Sequence, residues 1–204
     1  MAANHTAGSA GDRAQSPVLA VISGPPGTGK TTLARALANY LGTPAIIRDE
    51  IKQGMVLTGR GEPADGYADL NLPVLAVFFE VLTSLITAGV TAVAEAAFQD
   101  KLWRPNLAPL ATIADIRIVH CTAPTTVIHD RITHRADADP HRHAHDDTAL
   151  ITSIATNTRS PIDAFDPIRL AVPALTVNTS NGYQPDLAAI ASFLTYPVAR
   201  TTTR

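Results

Sequence analysis

The chain is predicted to fold as an α/β domain, a three-layer sandwich in which a five-stranded parallel sheet is covered by helices on both faces. Three observations carry this. Short apolar runs of strand length alternate with helix-length stripes, the pattern of parallel strands joined by helical crossovers. A glycine-rich loop sits directly between the first such run and the first stripe. At 204 residues, 46% of them hydrophobic and 17% charged, the chain is long enough to bury one sizeable core and short for two full domains.

The elements follow in order. Residues 17–23 (PVLAVIS) form a continuous apolar run, the mark of a strand buried on both faces. Beyond Thr31, the residues Leu33, Leu37, Ala38 and Leu41 make a helical stripe that stops at Gly42. Residues 44–48 read as a second strand and 49–57 as a short helix. Residues 58–69 are a connection rich in glycine and proline. A long helix is expected over 70–88, a third strand over 90–94 and a fourth helix over 105–114. A fourth strand then spans 116–121, a fifth helix 124–136 and a further helix 148–158. A fifth strand at 174–177 and a closing helix at 185–194 complete the pattern. Within these bounds, 1–16 is a small, polar leader expected to be disordered, 17–196 a single domain, and 197–204 a flexible tail.

Composition excludes several classes. A formal net charge of −2 gives no overall field to recruit nucleic acid or an anionic membrane. The longest apolar stretch, 70–90, is interrupted by Asn71, Pro73 and Glu80 and does not read as a membrane span. The single cysteine, Cys121, sits in an apolar run and has no partner for an internal disulfide. A soluble protein in the reducing cytoplasm is expected.

In parallel sheets of this kind ligands bind at the carboxyl ends of the strands. Gly24, Asp49, Glu95 and Thr122 all fall at or just beyond predicted strand ends, so they are expected to share one cleft. Of these, the loop at Gly24 is the most specific. Gly24-Pro25-Pro26-Gly27-Thr28-Gly29-Lys30-Thr31 matches G-x-x-x-x-G-K-[ST] in full, after a strand and before a helix. Its glycines let successive N–H groups face phosphate oxygens, and the helix that follows adds its positive end. The set predicted to hold a nucleoside triphosphate runs from Gly24 to Thr32. Lys30 is expected to reach the β- and γ-phosphates, and the Thr31 hydroxyl to ligate Mg²⁺.

Asp49, at the end of strand two, is a carboxylate suited to take a proton from an attacking hydroxyl. It is equally suited to cap the helix that follows. Glu50 beside it reads as solvent-facing.

With the glycine loop, the stretch Arg48-Asp49-Glu50-Ile51-Lys52 and the 89–98 strand, residues 18–147 resemble the small P-loop kinases. That family includes polynucleotide kinase, chloramphenicol phosphotransferase and the zeta toxins. The resemblance implies the strand order 2-3-1-4-5, ATP and Mg²⁺ as cofactors, and Asp49 as the group that activates the acceptor hydroxyl. Arg48 and Lys52 then contact the acceptor, although lysine stands where the polynucleotide kinases usually have arginine and gives a point charge instead of a fork.

Glu95 closes the third apolar strand where such kinases carry the acid that holds the Mg²⁺ shell or orients the acceptor. The usual residue there is aspartate, and both roles are open. Phe98 is expected to line the acceptor pocket, and Trp103 to be either pocket wall or core. Arg131 and Arg135 lie at i and i+4 on one helix face. The resemblance places them at the start of a helical lid, about 131–147. Arg131 would stack on the base, while Arg135, with Arg142, would supply charge to the transferring phosphate. A solvated helix face is the plainer account of the pair. His141, His143 and His145 alternate in the same segment and need no metal to explain them; no role falls to His120 or His129.

The reading these residues favour is a kinase that moves the γ-phosphoryl group of ATP to a hydroxyl of a small molecule such as an antibiotic, nucleoside or sugar. A polynucleotide 5′-hydroxyl kinase is the alternative, set back by the lack of basic residues interleaved with aromatics. An ATP-binding switch of the ring-forming AAA+ type is a third. It calls for an acidic pair after strand three, where Ala94-Glu95-Ala96 has one carboxylate.

Overall fold

The computed structural model describes residues 16–59, 70–138 and 165–195, and of 135–138 only the backbone. In chain order the elements are β1 (Val18–Ser23), α1 (Lys30–Leu41), β2 (Ala45–Ile47), α2 (Arg48–Leu57), α3 (Asn71–Thr87) and β3 (Ala92–Glu95). They continue with α4 (Asp100–Leu110), β4 (Asp115–Thr122), α5 (Thr125–Ala138), β5 (Ala174–Asn178) and α6 (Leu187–Thr195). The five strands form one sheet in the order β2-β3-β1-β4-β5, every pair parallel. This is the expected order.

β1 is apolar throughout because both of its faces are covered. Leu19 and Val21 point into one core, built largely from α3 and α4. Ala20 and Ile22 point into the other, built from α1 and α6. Side chains in a strand alternate faces, so a central strand with helices on both sides must be hydrophobic at every position. Each fully buried large aliphatic side chain adds about 1.5–3 kcal/mol of burial. Phe78, Phe98 and Trp103 meet in the first core, the last two with ring centroids 4.6 Å apart.

Most element boundaries lie within two residues of expectation. The fourth helix is the exception: expected over 105–114, it starts at Asp100 and ends at Leu110, with Pro105 and Pro109 inside it. A proline reads as a first-turn residue because it lacks an N–H. Here both prolines sit on the exposed face, so the carbonyls they fail to engage, four residues earlier, belong to the exposed Lys101 and Pro105. Trp103, Leu107 and Leu110 hold the opposite face in the core. Glu95 is the last residue of β3, the carboxylate that closes the strand, and pairs with Ile22 of β1.

Sequence patterning gave no element at 165–170. This segment docks on the start of α4: Asp100 N donates to Asp166 O (3.0 Å), and Arg169 N donates to Asp100 Oδ1 (2.7 Å). Ile168 is buried beneath them. The expected leader up to residue 15, most of the 58–69 connection, the lid beyond 138, the 148–158 helix and the 197–204 tail lie outside the described residues. No described helix is long and apolar enough to cross a membrane.

Candidate active site

The carboxyl ends of β1, β3 and β2 lie side by side, and the residues that follow them converge. Leaving β1, the chain turns through Gly24 at φ 148° and Gly27 at φ 78°, in the region that side chains disfavour. Space adds to that requirement. A Cβ on Gly24 would stand 2.5 Å from the carbonyl oxygen of Cys121, and one on Gly27 2.7 Å from Ile128 Cγ2. The loop is therefore pressed between β4 and α5, and only glycine fits. Leu33 N donates to Gly29 O (3.0 Å), which starts α1 beneath the loop and aims the helix's positive end at it.

Lys30, in the first turn of α1, is buried, and its Nζ donates to Pro25 O (2.9 Å). The Thr31 hydroxyl donates to Glu95 Oε2 (3.0 Å). Glu95 is only 4% exposed. Burial raises its carboxyl above the ordinary value of 4.5; the Lys30 ammonium opposes this, the Asp49 charge adds to it, and the Thr31 hydrogen bond lowers it. This places a hydroxyl, a carboxylate and an ammonium together at the floor of the site.

Above the floor is a cleft of about 630 Å³, with Lys30, Thr31, Asp49, Glu50, Arg131 and Tyr183 among its lining residues. Asp49 reaches it from the first turn of α2, where its charge also suits the helix dipole. The helix-cap alternative for Asp49 does not hold: the N-cap position is Ile47, and no side-chain cap bond is made. Arg48 Nη1 lies 3.2 Å from Asp49 Oδ1, and Arg48 Nη2 donates to Asn71 Oδ1 (2.7 Å). Across the cleft, Arg35 of α1 is paired with Glu50. Glu50 is exposed, as expected, and it also lines the open cleft.

Arg131 is tied down by backbone. Its Nη2 donates to Thr179 O (2.5 Å) and Ser180 O (3.4 Å), and its Nη1 to Thr179 Oγ1 (3.2 Å) and Gly27 O (3.5 Å). The solvated-face account of this arginine is thereby excluded, because the guanidinium clamps the glycine loop to the segment after β5. The Arg135 side chain lies outside the described residues, as do Arg142 and His141, His143 and His145. Among the described residues no group of three or more metal-binding side chains gathers.

Four residues expected at the site are elsewhere. Phe98 is 0% exposed and Trp103 is 4% exposed, both within the aromatic core, so neither lines an acceptor pocket. Packing against Phe78, on a helix that a local reading cannot place, decides this. Lys52 is buried on α2 outside the cleft lining. Thr122 ends β4 at the carboxyl end of the sheet, but its hydroxyl donates to Val177 O (3.3 Å) and not into the cleft. Conversely, Arg35, Gln53, Thr179, Gly182 and Tyr183 line the cleft and were not anticipated. Arg35 lies four residues after Thr31, on the same helix face, and Thr179 follows a strand end, so both carried a signal.

A glycine loop on a helix N-terminus, a hydroxyl–carboxylate pair below it and this strand order define the fold of the small P-loop kinases. The chain belongs to the AAA domain family (AAA_33), whose profile matches residues 19–156. Among solved structures it is similar to a protein of Chloroflexus aurantiacus J-10-fl provisionally assigned as a kinase: 26% identity, TM-score 0.72, 88% of this chain and 97% of that one covered. The fold is shared with a sugar kinase from Janibacter sp. HTCC2649 (18%, TM-score 0.55, 88% and 94% covered). It is also shared with the Mycobacterium tuberculosis APS kinase solved with AMPPNP and APS (15%, TM-score 0.55, 88% and 98% covered). An uncharacterized protein of M. tuberculosis is 32% identical over 127 residues, 58% of this chain. The chain spans about a quarter (26%) of the length of that relative.

Proposed function

We propose that the chain is an ATP-dependent phosphotransferase that moves the γ-phosphoryl group to a hydroxyl of a small molecule, as a single domain over 17–196 working in the cytoplasm. The observation that supports this best is Asp49, a carboxylate standing in the same cleft as Lys30 and Thr31.

In this reading the glycine loop and the start of α1 bind the phosphates, and the Lys30 ammonium sets its charge against the β- and γ-phosphate oxygens. Thr31 and Glu95 form an all-oxygen donor set that fits Mg²⁺. When bound there, that ion offsets the negative charge of the β- and γ-phosphates. The Arg131 guanidinium offers its flat face to the base, and Arg135, one turn further along α5, supplies charge near the transferring group. Asp49 takes the proton of the acceptor hydroxyl as its oxygen bonds to the γ-phosphorus; the bond from that phosphorus to the β–γ bridging oxygen breaks, and ADP leaves. Arg48 holds Asp49 in place, and Arg35, Glu50 and Gln53 form the polar acceptor wall. Because Arg35 and Arg48 are each paired with a carboxylate, they form no open basic track for a polynucleotide.

The test is phosphoryl transfer from labelled ATP to a panel of antibiotics, nucleosides, sugars and 5′-hydroxyl oligonucleotides. One class of small hydroxyl compound is expected to gain a single phosphoryl group. Asp49→Asn is expected to cut that rate by roughly 10²–10⁴ while ATP still binds. A panel in which nothing is labelled and nothing stimulates ATP turnover overturns the reading, and transfer confined to oligonucleotides replaces it with the polynucleotide one.

A further inference from the structure

We infer that Thr179 is a positioning residue that sets the direction of a phosphate-binding amide in the glycine loop. This rests on the reading of the loop as a triphosphate site and adds a residue from the far end of the chain to it.

Thr179 follows β5 and is 4% exposed. Its Oγ1 lies 2.8 Å from Thr28 O and 3.2 Å from Thr122 O. A hydroxyl carries one proton, and the shorter contact takes it, so Thr179 donates to the Thr28 carbonyl. The same oxygen accepts from Arg131 Nη1 (3.2 Å). A charged donor on a hydroxyl strengthens the bond that the hydroxyl gives onward. Backbone bonds fix Thr179 itself: its N–H donates to Thr122 O (2.9 Å), and its carbonyl accepts from Arg131 Nη2 (2.5 Å).

Thr28 O belongs to the same planar trans peptide as the N–H of Gly29, and in such a unit the two groups point in opposite directions. Holding the carbonyl on Thr179 fixes the Gly29 N–H in the opposite direction, away from Thr179, and Gly29 is one of the residues that line the cleft. Gly29 has φ 76°, a conformation in which glycine is free to rotate its peptide, so the loop does not hold this orientation unaided. The relay Arg131 to Thr179 to Thr28 supplies what glycine lacks. The residues it joins are 48 and 151 positions apart.

Calorimetry on the full chain tests this, with tripolyphosphate, ATP and adenosine as probes of phosphate and base. Thr179→Val keeps the shape and removes the hydroxyl. It is expected to weaken tripolyphosphate and ATP by about tenfold, the loss of one hydrogen bond to a buried carbonyl, and to leave adenosine unchanged. Thr179→Ser is expected to stay within about twofold of the parent chain. If Thr179→Val does not fold, as judged by unliganded unfolding, Thr179→Ala serves as the second variant without the hydroxyl. Unchanged tripolyphosphate binding in the hydroxyl-free variant overturns the inference. So does equal weakening in Thr179→Ser, or an equal loss for adenosine. A parent chain that binds neither tripolyphosphate nor ATP overturns the triphosphate reading itself, a separate result.

Discussion

Gly27→Ala measures how tightly the glycine loop is held. The residue has φ 78°, where a side chain costs about 1–2 kcal/mol. Its new Cβ would stand 2.7 Å from Ile128 Cγ2 and 3.1 Å from both Ile128 O and Ile132 Cδ1. Ile128 and Ile132 are 2% and 0% exposed, so neither has room to withdraw, and overpacking of this kind costs about 1–3 kcal/mol. The expected loss is about 2–5 kcal/mol. Gly42→Ala provides the internal control, since Gly42 has φ 66° but no atom within 4 Å of its Cβ position. It should lose only the conformational part, about 1–2 kcal/mol. Urea unfolding of both variants, with and without ATP, separates the two costs. Saturation at 100 times Kd stabilises the parent chain by about 2.7 kcal/mol, and this gain should shrink in Gly27→Ala if the loop relieves the clash by moving. Gly27→Ala matching Gly42→Ala in stability, with its ATP stabilisation intact, would refute the close packing of the loop on α5.

Glu95→Gln should raise stability at neutral pH. Burial lifts the Glu95 carboxyl above 4.5 in the folded state, so the unfolded chain ionises first as pH rises. Stability is then fullest below about pH 4.5, falls as pH climbs to the raised folded value and is level above it. The glutamine variant should lack that fall, so its advantage over the parent chain vanishes below about pH 4.5; urea unfolding across pH checks this, and a variant less stable than the parent at pH 7 would refute it. The same substitution should weaken Mg²⁺-dependent binding of ATP. Phe98→Ala should cost about 3–5 kcal/mol in urea unfolding, because it empties space against Phe78 and Trp103. If it kept full stability and lost only acceptor turnover, Phe98 would return to the pocket wall.

Much of the fold was legible because its signals are local. The run at 17–23 and the stripe after Thr31 state their partners through periodicity, since a strand covered on both faces and a helix covered on one have different spacings. The glycine loop was legible for the same reason: its chemistry is backbone chemistry, written in eight consecutive residues. The strand-end rule extended this to Asp49 and Glu95, and the structure brings both to the loop.

What the chain could not state locally was which way a side chain turns once its element is placed. Phe98 and Trp103 lie near a strand end and yet fill the core, because α3 brings Phe78 against them. α4 begins five residues earlier than its prolines suggest, since an exposed face tolerates the carbonyls they leave unbonded. Arg131 was recognised as an important cation, but its partners are carbonyls and a hydroxyl on the glycine loop and the segment after β5, which only the parallel pairing of β4 with β5 sets beside it. Sequence by itself determined the phosphate loop, the alternation of strands and helices and the candidate base and acid, because propensity and periodicity act over a few neighbouring residues. The tertiary structure alone decided the inner wall of the site and the Thr179 relay, because those depend on the register between strands far apart in the chain.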